Sequence, residues 1–251
     1  MKKTLALVSG LFLFFSVQAQ SFDIGARYSG MSNWLFNNNV SNEGAAEDYS
    51  ASYSYCYGIT AAYNFNEHIS IETNFLMGVL TEGYNGSFGS NGYQTTMSPP
   101  YYFDNETYHA TTTLNTIQIP IFFRFLSGNG AYAEIGPEIG IITDATYTAT
   151  YAGGPASSST YDVGSYFPNT YIGGVLAFGN NIRLHNALFL NINLRFSYDF
   201  TDIKGVDGLG QNLNNSDLYS GSKPYYSSPK ATHAASAAFG VGIMYRLGHD
   251  F

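Results

Sequence analysis

Charge is scarce in this chain of 251 residues. Asp, Glu, Lys and Arg together make up 11%, under half of the roughly 25% found in an ordinary soluble domain. Cysteine is nearly missing: Cys56 stands alone, which excludes a scaffold stapled by internal disulfides. Basic residues are outnumbered, ten against eighteen acidic, for a net charge of −8. That balance argues against binding nucleic acid or anionic lipid surfaces through bulk electrostatics. Beyond residue 20 no run approaches the ~18 consecutive apolar residues that a membrane helix requires. What the chain does have is 22 Tyr, 19 Phe and 27 Gly. Such a composition is neither disordered nor helical-membrane, and points to a β protein with an unusual solvent.

The first twenty residues, MKKTLALVSGLFLFFSVQAQ, carry two lysines and an apolar run from Leu5 to Phe15 broken only by Ser9 and Gly10. Val17 and Ala19 occupy the small-residue positions of a cleavage site, so residues 1–19 are expected to be a cleaved secretory signal peptide and 20–251 one domain. Gln20 follows the expected cut, so lipid anchoring through an N-terminal Cys is not indicated. Without Lys2 and Lys3, eight basic residues face eighteen acidic ones, a net charge of −10.

The stretch FGVGIMYRLGHDF, residues 239–251, alternates: Phe239, Val241, Ile243, Tyr245, Leu247 and Phe251 share one parity, with His249 as the exception. Seven further runs alternate: FDIGARY, YSYCYGITAAYNF, ISIETNFLMGV, LNTIQIPIFFRF, AYAEIGPEIGII, TYIGGVLAFG and ALFLNINLRFSYDF. Both parities carry apolar residues in TYIGGVLAFG; Ile172, Leu176 and Phe178 are taken as the outer set. Period-two alternation marks strands with one apolar face. Most of these runs exceed the five or six residues usual in soluble strands and suit the nine to eleven of a tilted membrane strand. Connections alternate short (near Asn66–His68, Ser127–Gly130 and Gly179–Ala187) and long (about 37–52, 80–112, 144–168 and 201–232). A sheet can cross hydrocarbon only as a closed barrel. The expectation is therefore an all-β fold: an eight-stranded antiparallel up-and-down transmembrane β-barrel with short periplasmic turns and long extracellular loops, in the cell outer membrane.

Two features resemble known proteins. The ending resembles the C-terminal assembly signal that barrel-insertion machinery reads, which implies that role for Tyr245, Leu247 and Phe251. IQIPIFFRF (117–125) with YAEIGPEIGI (132–141) resembles the central hairpin of the PorT-like outer-membrane β-barrel family of Bacteroidota. That resemblance implies the barrel and its location, and one branch of the family is accessory to a secretion system.

Alternation assigns the other parity to the lumen: Arg27, Glu72, Gln118, Arg124, Glu134, Glu138, Arg195, Asp199 and Arg246, with Asp23, Asn74 and Asn193. An eight-stranded barrel is only just wide enough to be filled by side chains, so these charges are expected to pair and plug it rather than line a narrow pore or proton path. No cofactor, metal or catalytic residue is expected. Glu134 and Glu138 lie four apart on one strand, about 13 Å, too far for an acid/base pair. His233 and Ser236 in THAASAAFG lie three apart, on opposite faces of a strand, which disfavours a hydrolase acting on outer-leaflet lipid A. His109 is expected at a loop or strand edge, and no metal-ligand spacing occurs.

The long connections carry Tyr84, Tyr93, Tyr101, Tyr102 and Tyr108, then Tyr147, Tyr151, Tyr161 and Tyr166, among Asn, Gly, Ser and Thr. Such loops either pack on one another above the membrane or bind an extracellular ligand, Tyr giving large contact area at low entropic cost, and part of 84–112 is a candidate continuation of the third and fourth strands as a protruding edge. The overall expectation is a non-enzymatic, monomeric barrel with a structural or surface-binding role. Its partners would be outer-membrane lipid, the barrel-assembly machinery and an extracellular ligand, and not nucleic acid.

Overall fold

The computed structural model describes residues 21–43, 48–87, 107–152, 158–204 and 230–248. The expected leader 1–19 and Phe251 of the expected assembly signal lie outside the described residues. In chain order the strands are β1 (Ser21–Asn37), β2 (Asp48–Ser50), β3 (Ser54–Asn64), β4 (Ile69–Ser87), β5 (Thr107–Leu126), β6 (Ala131–Ala152), β7 (Ser158–Asp162), β8 (Thr170–His185), β9 (Leu188–Asp199) and β10 (Thr232–Gly248). A short helix α1 (Asn38–Glu43) follows β1, and a 3-10 turn (Gly164–Tyr166) follows β7.

Eight strands form an antiparallel ring. β1 pairs with β3, β3 with β4, β4 with β5, β5 with β6, β6 with β8, β8 with β9, β9 with β10, and β10 returns to β1. Closure satisfies the backbone groups that an open edge would leave bare, the condition for placing a sheet in hydrocarbon. β2 and β7 are short additions to β4 and β6 outside the ring.

Each strand sorts its residues by parity, and the sorting is inverted relative to a soluble protein. Ile59 is 61% exposed while the adjacent Thr60 is 2% exposed. Phe22, Ile24, Phe75, Ile121, Phe123, Ile135, Leu194, Phe196, Ile243, Tyr245 and Leu247 all point outward. Tyr28 and Tyr55 stack on that outer face with ring centroids 6.4 Å apart. On β5 the apolar outer set ends at Ile117; beyond it Asn115, Thr113, Thr111 and His109 continue the same parity. On β6 it ends at Ile141 and gives way to Thr143, Asp144, Thr146 and Thr148. β5 has 20 residues and β6 has 22, about twice what a tilted crossing needs, so their upper halves stand clear of the apolar zone. There Asn115 donates to Asp144 at 3.1 Å, and the Thr148 and Thr160 hydroxyls meet at 2.9 Å.

The connections differ from the sequence expectation in three places; the first is 144–168, where β6 runs on to Ala152 and β7 pairs back onto it, because inward parity continues through Ala145 and Tyr147. Gly179–Ala187 is strand rather than turn: Asn180 and Asn181 pair with Ile192 and Asn191, and only Asn186 and Ala187 lie between β8 and β9. The Gly-Asn-Asn signal suggested a turn, but Ile182 and Leu184 keep the outward parity and hold the segment in register. The connection placed at 80–112 is also shorter, because β4 runs to Ser87 and β5 starts at Thr107. Tight turns close one end. The Asn66 side-chain oxygen accepts the backbone N–H groups of His68 and Ile69, and Gly130 sits at φ 88°, open to glycine without strain.

At the opposite end the ring is completed by side chains. β3 stops pairing at Ser54, opposite Met31, while β1 continues to Asn37. Along the bared edge of β1, the Ser52 hydroxyl donates to the Asn33 carbonyl at 3.1 Å. The Leu35 N–H donates to Glu82 Oε2 at 2.9 Å. The Tyr49 hydroxyl accepts the Asn37 N–H at 2.9 Å and donates to its carbonyl at 3.2 Å. Three side chains thus take the place of a missing strand on alternate residues, as a ladder partner would.

Candidate functional site

Among the described residues most of the charged and buried polar side chains gather in the interior, which has two storeys. Towards the tight-turn end lies an ion network. Arg27 on β1 donates to Glu72 Oε1 on β4 at 2.9 Å and to Asn191 on β9 at 3.3 Å. Glu72 Oε2 is taken by Arg124 on β5, which also binds Glu134 on β6. The Arg124 guanidinium lies over the Tyr132 ring, 4.4 Å from its centroid. Asn191 donates to the Tyr132 hydroxyl and to Asn181, each at 2.7 Å, and Asn193 donates to Asn191 at 3.0 Å. Arg246 grips Asp23 with two bonds, 2.8 and 2.9 Å. Arg195 pairs with Glu138. Every carboxylate in these pairs is at most 2% exposed, and desolvated charges are tolerated only when matched in this manner.

The lumen residues named from the sequence can now be placed; Asn74 is buried on β4. Arg27, Glu72, Arg124 and Glu134 join one network; Arg195 with Glu138, and Arg246 with Asp23, are separate pairs. Glu134 and Glu138 are held by different arginines and do not act together. Gln118 is buried, donates to Thr116 on its own strand at 3.4 Å and hydrogen-bonds the Tyr171 hydroxyl across the lumen. Asp199 is buried near the upper end of β9, close enough to Arg195 to feel its charge; its carbonyl accepts His233 Nδ1 at 3.0 Å.

The upper storey is apolar. Leu35, Leu76, Leu80, Leu114, Tyr84, Tyr147 and Tyr171 fill it, and the connections add Val40 from α1, Val163 and Phe167 beside the 3-10 turn, and Ile203. Tyr171 fits because its β6 partner is Gly140: a Cβ there would fall inside the Tyr171 ring. Tyr132 lies over Gly179 in the same way. Tyr84 and Tyr147, expected on recognition loops, are 0% and 2% exposed. They are core residues because the strands continue through those positions with inward parity. Tyr161 and Tyr166 pack against the same cluster. Tyr93, Tyr101 and Tyr102 lie outside the described residues.

His233 and Ser236 do not meet. His233 bonds to the Asp199 carbonyl and stacks on Tyr198, centroids 5.7 Å apart, while the Ser236 hydroxyl faces that of Ser197. His109 is exposed on the outer side of β5, its Nδ1 2.7 Å from the Asn85 side-chain oxygen. Among the described residues no three His, Cys, Asp or Glu side chains converge as a metal site would require. Cys56 is buried.

Comparison with known proteins decides the family. The sequence pattern of one, described as outer membrane protein beta-barrel domain, matches residues 18–205. The chain belongs to that family. Among curated proteins nothing matches it in sequence. Solved structures similar to this outer-membrane barrel include Ail of Yersinia pestis in complex with the heparin analogue sucrose octasulfate, at 7% identity over 92% of this chain and 100% of that one, TM-score 0.38. Neisserial surface protein A is 12% identical over 89% of this chain and 96% of its own, TM-score 0.38. The protease OmpT of Escherichia coli is 8% identical over 92% and 98%, TM-score 0.37. These likenesses carry nothing about activity.

Membership in the family places the barrel in the outer membrane. Barrels of this kind have short periplasmic turns and longer extracellular loops, so the ion network occupies the periplasmic half and the apolar stopper the extracellular half. Below the network, the periplasmic mouth opens into a cavity of about 570 Å³ lined by Asn64, Asn129, Asn180, Asn181, Arg183 and Phe189, among others. Its asparagines escaped the sequence reading because a lone Asn near a hairpin end reads as turn chemistry.

Proposed function

We propose that this protein is a non-enzymatic outer-membrane barrel, closed to solute by its own side chains and acting structurally. The observation that carries the reading is the double seal: an ion network across the lower lumen under an apolar core contributed by strands and connections. Conduction would require both to open. Planar-bilayer recording of the refolded protein tests this; the expected result is no steady conductance, and a substantial, sustained one overturns the plug. Lipid A acylation in cells making the protein is expected to be unchanged. A change abolished by His109→Ala or His233→Ala would replace the structural reading with a hydrolase.

Residues 1–19 act in this reading as a cleaved signal peptide, and Tyr245, Leu247 and Phe251 as the signal for the barrel-assembly machinery. The protein is monomeric and surrounded by outer-membrane lipid. The strands 117–125 and 132–141 support assignment to the PorT-like group of Bacteroidota, with which a role accessory to secretion would come. Deletion of the gene with secretion intact would remove that role. A loop-borne extracellular ligand draws less support than a structural role, because Tyr84 and Tyr147 are interior.

A further inference from the structure

We infer that a notch in the lipid-facing wall at Gly174 seats an acyl chain of an anionic outer-leaflet lipid, whose headgroup meets the Lys204 ammonium. This goes beyond the structural role proposed above and does not depend on whether the lumen conducts. The notch has a volume of about 580 Å³ and is lined mainly by apolar residues of β6, β8 and β9. That volume falls within the ~300–1,000 Å³ of small-ligand sites.

Its shape follows from one row of outward positions. On β8 the outward parity runs through Ile172, Gly174, Leu176 and Phe178. Gly174 pairs with Pro137 on one side and Tyr198 on the other. Neither Gly174 nor Pro137 carries a long side chain, so backbone forms the floor. Ile135, Leu176 and Phe196, the next outward row, close the notch towards the periplasm. Ile172 and Phe200 flank it towards the extracellular end. Phe200 leans across: a Cβ at Gly174 would stand 2.8 Å from the ring. Tyr198 forms the side wall, its ring steadied by Phe200 at 6.0 Å and His233 at 5.7 Å between centroids. A hollow with such walls offers water few hydrogen bonds, and the solvent on this face is acyl chain. Methylenes fill it and gain dispersion contact with fixed walls.

A placed cation selects the headgroup. The notch lies near the extracellular ends of β8, which starts at Thr170, and β9, which ends at Asp199. Just beyond Phe200, the Thr201 hydroxyl accepts the Ile172 N–H at 3.0 Å, and the Ile203 N–H donates to the Thr232 carbonyl at 3.0 Å. Ile203 turns into the core, and Lys204 follows it exposed. The Lys204 backbone is held at φ 51°, a left-handed conformation unusual for lysine. Its N–H donates to Asp202 Oδ1 at 2.8 Å, and the same oxygen accepts the Thr232 N–H at 2.9 Å. The Asp202 carboxylate is thus engaged by backbone, and the Lys204 ammonium makes no ion pair among the described residues. A lysine at this level buries its stem along apolar surface and holds its charge among headgroups, where it attracts anionic lipid. The chain as a whole carries −8 and repels such lipid, so selectivity falls to this local cation.

Detergent-folded protein, its fold confirmed by heat-modifiable gel mobility, is mixed with lipid A or with zwitterionic phosphatidylethanolamine and weighed by native mass spectrometry. The expected result is a single-lipid adduct that forms more readily with lipid A. Gly174→Trp, which fills the notch, weakens the adduct about tenfold, the scale of two buried methylenes. Lys204→Asn suits the left-handed backbone but lacks the ammonium. It weakens the lipid A adduct about threefold, as for one exposed charge pair, and leaves the phosphatidylethanolamine adduct unchanged. Thr113→Ala, on β5, changes neither. Should Gly174→Trp fail to fold, the loss of selectivity in Lys204→Asn decides alone. The site is overturned if no adduct forms, if phosphatidylethanolamine binds as well as lipid A, or if either folded variant binds like the parent. A dimer that Gly174→Trp dissolves would give the notch to a second copy and overturn the lipid.

Discussion

Glu82 accepts a backbone hydrogen bond from Leu35, 2.9 Å away and two strands over in the ring, at the level where the strand between them has ended. Leu35 is fully buried, so its N–H has no water to turn to. Glu82→Leu should therefore lower the unfolding free energy by about 1–3 kcal/mol, the cost of an unmatched buried donor. Glu82→Gln retains an acceptor oxygen and should fall well short of that loss. Urea unfolding of the barrel in lipid vesicles, followed by gel mobility, separates the two. Equal losses would show that the seam is held by something else.

Glu72 is bound by two arginines, one on each carboxylate oxygen, and one of these, Arg124, also holds Glu134. Arg124→Met strips Glu134 of its hydrogen-bonded cation while Glu72 keeps Arg27. The expected cost is about 3–5 kcal/mol, that of breaking a buried pair from one side. Adding Glu134→Gln removes the stranded charge, so the double variant should be more stable than Arg124→Met alone. The same unfolding assay completes the double-mutant cycle. A double variant less stable than the single would remove the network from the account of the lumen.

Parity carries most of what the chain discloses about itself. Ile59 out and Thr60 in, Phe123 out and Arg124 in, follow from alternation alone, and so do ring closure and the burial of the charged set. Alternation says little about how far a strand runs once its outer face turns from isoleucine to threonine. For that reason Thr146 reads as loop, Thr111 as either loop or protruding strand edge, and Tyr84 and Tyr147 as surface. Leu76, Leu80 and Leu114 are apolar on the inward parity, a visible sign that part of the lumen is greasy. Val40, Val163, Phe167 and Ile203 seal the top from connections without periodicity, where only an isolated apolar residue in a polar stretch gives warning. The Asn64 cavity was illegible for another reason: it is assembled from several hairpin ends that only ring closure brings together.

Gly140 exists to make room for Tyr171. A side chain at Gly140 would occupy the ring's position, and the ring, 2% exposed, has packed neighbours on its other sides. Gly140→Val should cost about 1–3 kcal/mol through overpacking. Tyr171→Ala on that background should recover part of the loss, although the same change alone destabilises by leaving a cavity. Opposite signs for one substitution on two backgrounds are the signature of direct contact. Additive losses would mean that the two residues do not share the space.

The outer face of β5 turns from apolar to polar between Ile117 and Asn115, and this fixes the level at which the protein leaves the membrane. With Cys56 first changed to Ser, single cysteines at Thr113 and Ile121 test that level in intact cells. Thr113 lies on the polar stretch above the belt, so its cysteine should react with a membrane-impermeant maleimide within minutes. Ile121 is 44% exposed, yet its neighbours on that face are Phe123 and Ile119, and the solvent there is acyl chain. Its cysteine should stay unlabelled in cells and react only after unfolding in urea. Exposure measured on the isolated fold is thus uncoupled from exposure to water. Fast labelling at Ile121 in intact cells would mean that this face meets water, and an outer-membrane barrel in this register would be excluded.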